Sequence, residues 1–129
     1  MPTIVTAAVV ERDGRLLVAR RVTGSHLAGC WEFPGGKCEP GETAEEALAR
    51  ELVEELGVAA AIGEEIYRTT YAYDDRVLDL RFFSCRIDGD PQPLLGQEIR
   101  WVTRSELPTL SFPPADTELV ARLASDWRV

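Results

Sequence analysis

Basic residues are scarce in this chain: 14 Lys and Arg stand against 22 Asp and Glu, a formal charge of −8. Nucleic-acid polymers and anionic membrane surfaces are met by clustered Lys and Arg, so neither is the expected main partner. A polyanion bound here would need metal ions between it and the protein. Cysteine is sparse too. Cys30, Cys38 and Cys85 form an odd set without a C-x-x-C pair, which argues against a disulfide framework and a cysteine zinc site and fits a reducing, cytoplasmic setting. No apolar run reaches the length of a membrane span. The apolar segment from Ile4 to Val10 is short, follows no basic region and leads into Glu11-Arg12-Asp13-Gly14. It therefore reads as a strand and not as a signal peptide. Repeats, low-complexity stretches and linkers are absent, and residues 1–129 are expected to form one domain with an ordinary core.

The pattern of apolar residues predicts the elements. Val5 to Val10 is nearly all apolar and β-prone, which suits an interior strand covered on both faces. Asp13-Gly14 signals a tight turn, with Leu16 to Ala19 as the returning arm of a hairpin. Thr43 as N-cap, Glu46 three positions on and Gly57 as a stop delimit a helix. Its Leu48, Leu52 and Leu56 form one packing stripe, and Ala44 and Ala47 are expected to leave room around the glutamates. Ile66 to Tyr73 and Val77 to Ile87 read as strands about the turn Asp74-Asp75-Arg76. In the second, Leu78, Leu80 and Phe82 alternate and then Phe83, Cys85 and Ile87 do, a change of phase that predicts a bulge there. A short strand from Ile99 to Val102, a helical turn at Ser105-Glu106-Leu107 and a last helix from Pro113 or Pro114 to about Ser125 complete the chain. Two helices separated by strands imply an α/β fold, a mixed sheet with helices packed on it.

Seven glutamates fall between Gly36 and Val58. Glu51, Glu54 and Glu55 stand three and four positions apart, so their carboxylates share one helical face and repel. A solvated, charge-rich helix is the plain reading of such a cluster. The glycine loop before it points further. Carboxylates of this kind can hold Mg²⁺ or Mn²⁺ through hard oxygens, and Gly35 and Gly36 allow backbone to approach metal and phosphate closely. Arg50, beside the cluster, is suited to orient one glutamate by an ion pair.

Gly36, Glu42, Arg50, Glu51, Leu52, Glu54, Glu55, Gly57 and Val58 occupy every fixed position of the pattern G-x5-E-x7-R-E-U-x-E-E-x-G-U, with U aliphatic. This is the Nudix box, and the chain resembles the Nudix hydrolases. The preceding Trp31-Glu32-Phe33-Pro34-Gly35-Gly36-Lys37 resembles the MutT branch, which includes 8-oxo-dGTP diphosphatases and CTP pyrophosphohydrolases. The resemblance implies an α/β/α sandwich around a mixed sheet and hydrolysis of a nucleoside triphosphate to the monophosphate and pyrophosphate. It implies Glu51, Glu54, Glu55 and the Gly35 carbonyl as ligands of Mg²⁺, with Mn²⁺ a possible substitute. Glu51, Glu54 and Arg50 form the implied catalytic set, Glu51 being the best fit to a general base. Members of the branch often add a carboxylate six residues before the Trp of a late strand. Leu95 stands there in this chain, and Glu98 is the candidate substitute.

The box does not choose the base. The resemblance points to a wall made by the first strand, Phe33, Tyr73 and the start of the last helix. Arg21, His26, Gly36, Lys37, Asp75 and Arg76 are further candidate substrate contacts. Asp116 is the informative position, because the bacterial 8-oxo-dGTP enzymes carry Asn there and the CTP-type enzymes Asp. An ionised Asp accepts hydrogen bonds only, from the N1–H and N2–H₂ of an oxidised guanine or from the exocyclic amine of cytosine. A favourable charge in the first turn of a helix is the competing reading. The expected function is a Mg²⁺-dependent triphosphate pyrophosphohydrolase that clears unwanted nucleotides, with 8-oxo-dGTP and CTP or modified dCTP as the alternatives. A non-catalytic nucleotide sensor would be expected to have lost carboxylates that this chain keeps. Monomer and homodimer both remain open.

Overall fold

A computed structural model of the protein describes residues 2–20, 29–73 and 75–125, without the Tyr73 side chain. Among these, seven strands form one mixed sheet, ordered β3-β2-β1-β6-β5, with β4 paired to β1 and β7 to β2. The strands are β1 (Thr3–Arg12), β2 (Arg15–Arg20), β3 (Trp31–Glu32), β4 (Gly35–Lys37), β5 (Ala60–Tyr73), β6 (Arg76–Ile87) and β7 (Glu98–Thr103). The long first strand is the hub. Its residues from Thr3 to Val10 run parallel to Leu78 to Cys85 of β6, Val5 to Ala7 pair antiparallel with β4, and its end turns back into β2. Asp13 and Gly14 take φ of 54° and 75°, the double positive φ of a two-residue hairpin turn.

Helices cover both faces. On one lies α1 (Ala44–Leu56), opened by a complete Thr43–Glu46 capping box and closed by Gly57 at φ 67°. Leu48, Leu52 and Leu56 are fully buried and pack with Ala8, Val10, Leu17 and Phe83. Ala44 and Ala47 belong to the same buried cluster; they seat the helix on the sheet and do not space the glutamates. On the other face lies α2 (Thr117–Ala124), preceded by a 3-10 turn at Pro114–Asp116. Leu119, Val120 and Leu123 pack there with Ala7, Val9, Leu16, Phe33 and Phe82. Even residues of β1 serve one core and odd residues the other, which is why this strand reads as a continuous apolar run.

The same two-sided burial corrects the bulge expected in β6. Leu80 and Phe82 face the α2 core while Phe83, Cys85 and Ile87 face the α1 core, an unbroken alternation, and the register with β1 is continuous. The irregularity lies in β5, whose pairing with β6 shifts between Ile62 and Glu65 and again between Glu65 and Tyr67. β5 also begins earlier than the apolar pattern suggests.

Leu52→Ala should destabilise the protein by about 2–5 kcal/mol, the usual cost of emptying a fully packed leucine site. Urea unfolding followed by tryptophan fluorescence measures this. A loss under about 1 kcal/mol would mean that α1 is not anchored by its leucine stripe.

Candidate active site

A cleft of about 860 Å³ opens between the N-terminal half of β1, β4, the β5–β6 turn and the start of α2. One end reaches the Gly35-Gly36 loop. There the glycines are dictated by packing. A Cβ on Gly35 would lie 2.0 Å from the Thr6 carbonyl oxygen of β1, and one on Gly36 would lie 2.5 Å from the Glu51 carboxyl carbon. The Glu51 carboxylate therefore rests directly against the loop, in the space that a side chain would fill. Buried Thr6 fixes the loop from below, its hydroxyl donating to the Gly36 carbonyl at 3.1 Å.

Arg50 organises the carboxylates. Its Nε and Nη2 donate to the two oxygens of Glu42 at 2.7 and 3.0 Å, a bidentate fork with specific geometry. Nη1 donates to Glu51 at 3.0 Å and to Glu54 Oε2 at 3.2 Å, and Nη2 also reaches the Lys37 carbonyl at 3.1 Å. One guanidinium thus ties the glycine loop to the helix. The Arg50 fork, with the Glu39 backbone N–H, holds the Glu42 carboxyl down at about 2. The Glu39 N–H donates to Glu42 at 2.9 Å.

Glu55 has the opposite environment. Burial first, and then the neighbouring charges of Glu51 and Glu32, push its carboxyl up to about 8. Its Oε2 is buried with no hydrogen-bond partner. Among the described residues no three acidic or thiol groups enclose a single point; Nη1 of Arg50 engages Glu51 and Glu54 as they stand. A divalent cation fits this donor set on three counts. The donors are hard carboxyl oxygens, one of them is buried and unsatisfied, and Glu51 lies against the two glycines of the loop.

The other predicted residues divide into three groups. Phe33, Gly36, Lys37, Asp75, Arg76 and Asp116 all border the cleft. Phe33 does so from within the core, stacked on Phe112 at 5.2 Å and edge-on to Phe82 at 6.0 Å. Asp75 and Arg76 are exposed at the mouth, 3.9 Å apart. Asp116 is 6% exposed and makes no side-chain cap bond to α2, so a capping contact does not account for its position. Glu98 is not brought to the cleft. It faces Arg20 across the β2–β7 pair and forms an ion pair with it. Arg21 and His26 lie outside the described residues, as does the Tyr73 side chain. Glu32 was not singled out from the sequence, yet it borders the cleft and its charge acts on Glu55. The signal available for it was its position four residues before Gly36 in the resembling segment.

A glycine loop, a helix face of carboxylates and a cleft of mixed polarity thus lie together on an α/β/α sandwich. A profile of the NUDIX domain matches residues 5–122, and the chain belongs to the Nudix family. It is 38% identical to the CTP pyrophosphohydrolase of Escherichia coli over 90% of this chain and 87% of that one. It is 36% identical to an 8-oxo-dGTP diphosphatase of Haemophilus influenzae over 95% and 91%. The solved structure of a MutT protein from Methanosarcina mazei superposes with a TM-score of 0.85 at 25% identity, covering 95% of this chain and 93% of that one. The protein is a MutT-like Nudix hydrolase. Nudix hydrolases act on nucleotides and generally use divalent metal ions. Among the described residues no helix is long and apolar enough to cross a membrane.

The raised Glu55 carboxyl predicts a pH dependence. Its folded pKa of about 8 exceeds the unfolded value, so the folded state holds the extra proton and stability falls as pH rises from about 4.5 to about 8. Thermal melts of the metal-free protein across that window should show the decline, and Glu55→Gln should flatten it. An unchanged slope in the variant would remove Glu55 as its source.

Proposed function

We propose that the protein hydrolyses a nucleoside triphosphate to the monophosphate and pyrophosphate, with Mg²⁺ held by Glu51, Glu54, Glu55 and the Gly35 carbonyl. The observation that carries this reading is the Glu51 carboxylate lying against Gly36, which borders the same cleft as buried Asp116. When bound, the cation supplies positive charge that polarises the phosphoanhydride and offsets charge on the leaving pyrophosphate. Glu51 accepts the proton of the attacking water as its oxygen bonds to phosphorus and the bond to pyrophosphate breaks. Arg50 holds Glu51 in line for that transfer through the 3.0 Å contact, and its fork on Glu42 fixes Arg50 in turn. Lys37, which lines the cleft at the loop, contacts phosphate in this reading. Glu98, ion-paired with Arg20 as Glu51 and Glu54 are with Arg50, is a further candidate for the ligand set.

The apolar strip of Val5, Ala7, Leu80 and Phe82 takes the base, and Asp116 reads its hydrogen-bond donors. Clearing 8-oxo-dGTP or a related nucleotide from the pool is the leading physiological reading. CTP or a modified dCTP is the second. It is supported by the Asp at position 116, an acceptor suited to an exocyclic amine, and by the 38% identity to a CTP pyrophosphohydrolase.

The test is turnover with Mg²⁺ of 8-oxo-dGTP, dGTP, CTP, dCTP and 5-methyl-dCTP, measuring monophosphate and pyrophosphate. Glu51→Gln should abolish turnover without loss of fold, a fall of about 10²-fold or more for a lost general base. Asp116→Asn should move the guanine-to-cytosine ratio more than the rate on the better substrate. Turnover of ADP-ribose or dinucleoside polyphosphates in place of every triphosphate would overturn the proposal.

A further inference from the structure

Two register shifts interrupt β5 just before Tyr67. In a regular strand adjacent residues point to opposite faces. Here Ile66 and Tyr67 both pack on the α2-side core, immediately after the pairing slips from Glu65 opposite Phe83 to Tyr67 opposite Phe82. Glu65 lies opposite Phe83 of the α1-side core, and Tyr67 resumes the α2 face that Thr69 shares opposite Leu80.

From there Tyr67 makes two kinds of contact. Its ring packs on Phe82, centroids 5.8 Å apart, and Phe82 is part of the cleft floor. Its hydroxyl donates to Glu118 Oε2 at 2.8 Å. Arg122 closes the arrangement, donating to the same Glu118 oxygen at 3.3 Å with its guanidinium 5.3 Å over the Tyr67 ring. Glu118 lies in the first turn of α2, two residues after Asp116, and the 3-10 turn that carries Asp116 packs directly on β5. Tyr67 thus joins the floor of the cleft to the wall that bears its buried carboxylate.

We propose that Tyr67 is a positioning residue for base recognition. Through Glu118 and Arg122 it holds the start of α2 at the distance from Phe82 that lets Asp116 meet the base edge. The proposal rests on the reading of Asp116 given above. Tyr67 itself touches neither phosphate nor the carboxylates of α1, so its effect belongs to substrate binding and not to the chemical step.

A double-mutant cycle tests this in the full-length protein with Mg²⁺, with 8-oxo-dGTP and CTP as substrates and thermal melts of every variant. Tyr67→Phe keeps the ring and removes the donor. It should raise KM for the preferred base about threefold to tenfold with kcat within about twofold, the scale of one lost hydrogen bond. Glu118→Gln, which keeps an acceptor oxygen, should retain most of the wild-type KM. In an Asp116→Asn background Tyr67→Phe should add little, because the residue it positions is already changed. Effects of Tyr67→Phe and Asp116→Asn that multiply, an equal fall in kcat for both substrates, or a lowered melting temperature with KM unmoved would each overturn the positioning role. If Asp116→Asn alone leaves the base preference unmoved, the reading of Asp116 fails first and this inference falls with it.

Discussion

The bidentate contact between Arg50 and Glu42 is the interaction on which the site depends. A helix face carrying Glu51, Glu54 and Glu55 is repulsive, and the glycine loop in front of it has no side chains with which to grip it. Arg50 meets both needs. Glu42 fixes two of its nitrogens, and the remaining donor capacity is directed to Glu51, Glu54 and the Lys37 carbonyl. A single partly exposed ion pair contributes little to stability. Here its value is geometric, because it sets where the loop and the helix stand relative to each other.

The sheet then divides the work between its two faces. Thr6 of β1 and the α1 side support the Gly36 loop and the carboxylates, where charge, hard oxygens and close backbone approach matter. Ala7 and Phe82 face the α2 side, where Val5 and buried Asp116 also line the cleft. One strand serves both because its side chains alternate, so in the proposed reading phosphate chemistry and base choice fall to residues one apart in sequence and on opposite faces.

What the sequence disclosed follows the same division. The helix limits, the leucine stripe and the carboxylate set were legible because caps, i to i+4 spacing and the box are local patterns. Ala44 and Ala47 were misjudged because the helix buries more of its circumference than the leucine stripe alone indicates. The phase change in β6 looked like a bulge, since two-sided burial and a bulge leave the same trace in one strand; only the partner register separates them, and it moved the bulge to β5. Glu98 is a candidate ligand by its place near Trp101, and its cross-strand ion pair with Arg20 is a tertiary fact that no local pattern shows. Glu32 and Tyr67 escaped notice for that reason too: each matters through a neighbour distant in the chain.

The proposed reaction needs a divalent cation at the face of α1 that Arg50 organises. Titrating Mg²⁺ into protein labelled with carbon-13 at the glutamate carboxyls, followed by NMR, tests this most directly. Saturable shifts confined to Glu51, Glu54 and Glu55, with Glu42 unmoved on its arginine, are the predicted result. Weak shifts spread over glutamates throughout the surface, with those three no different from the rest, would contradict it.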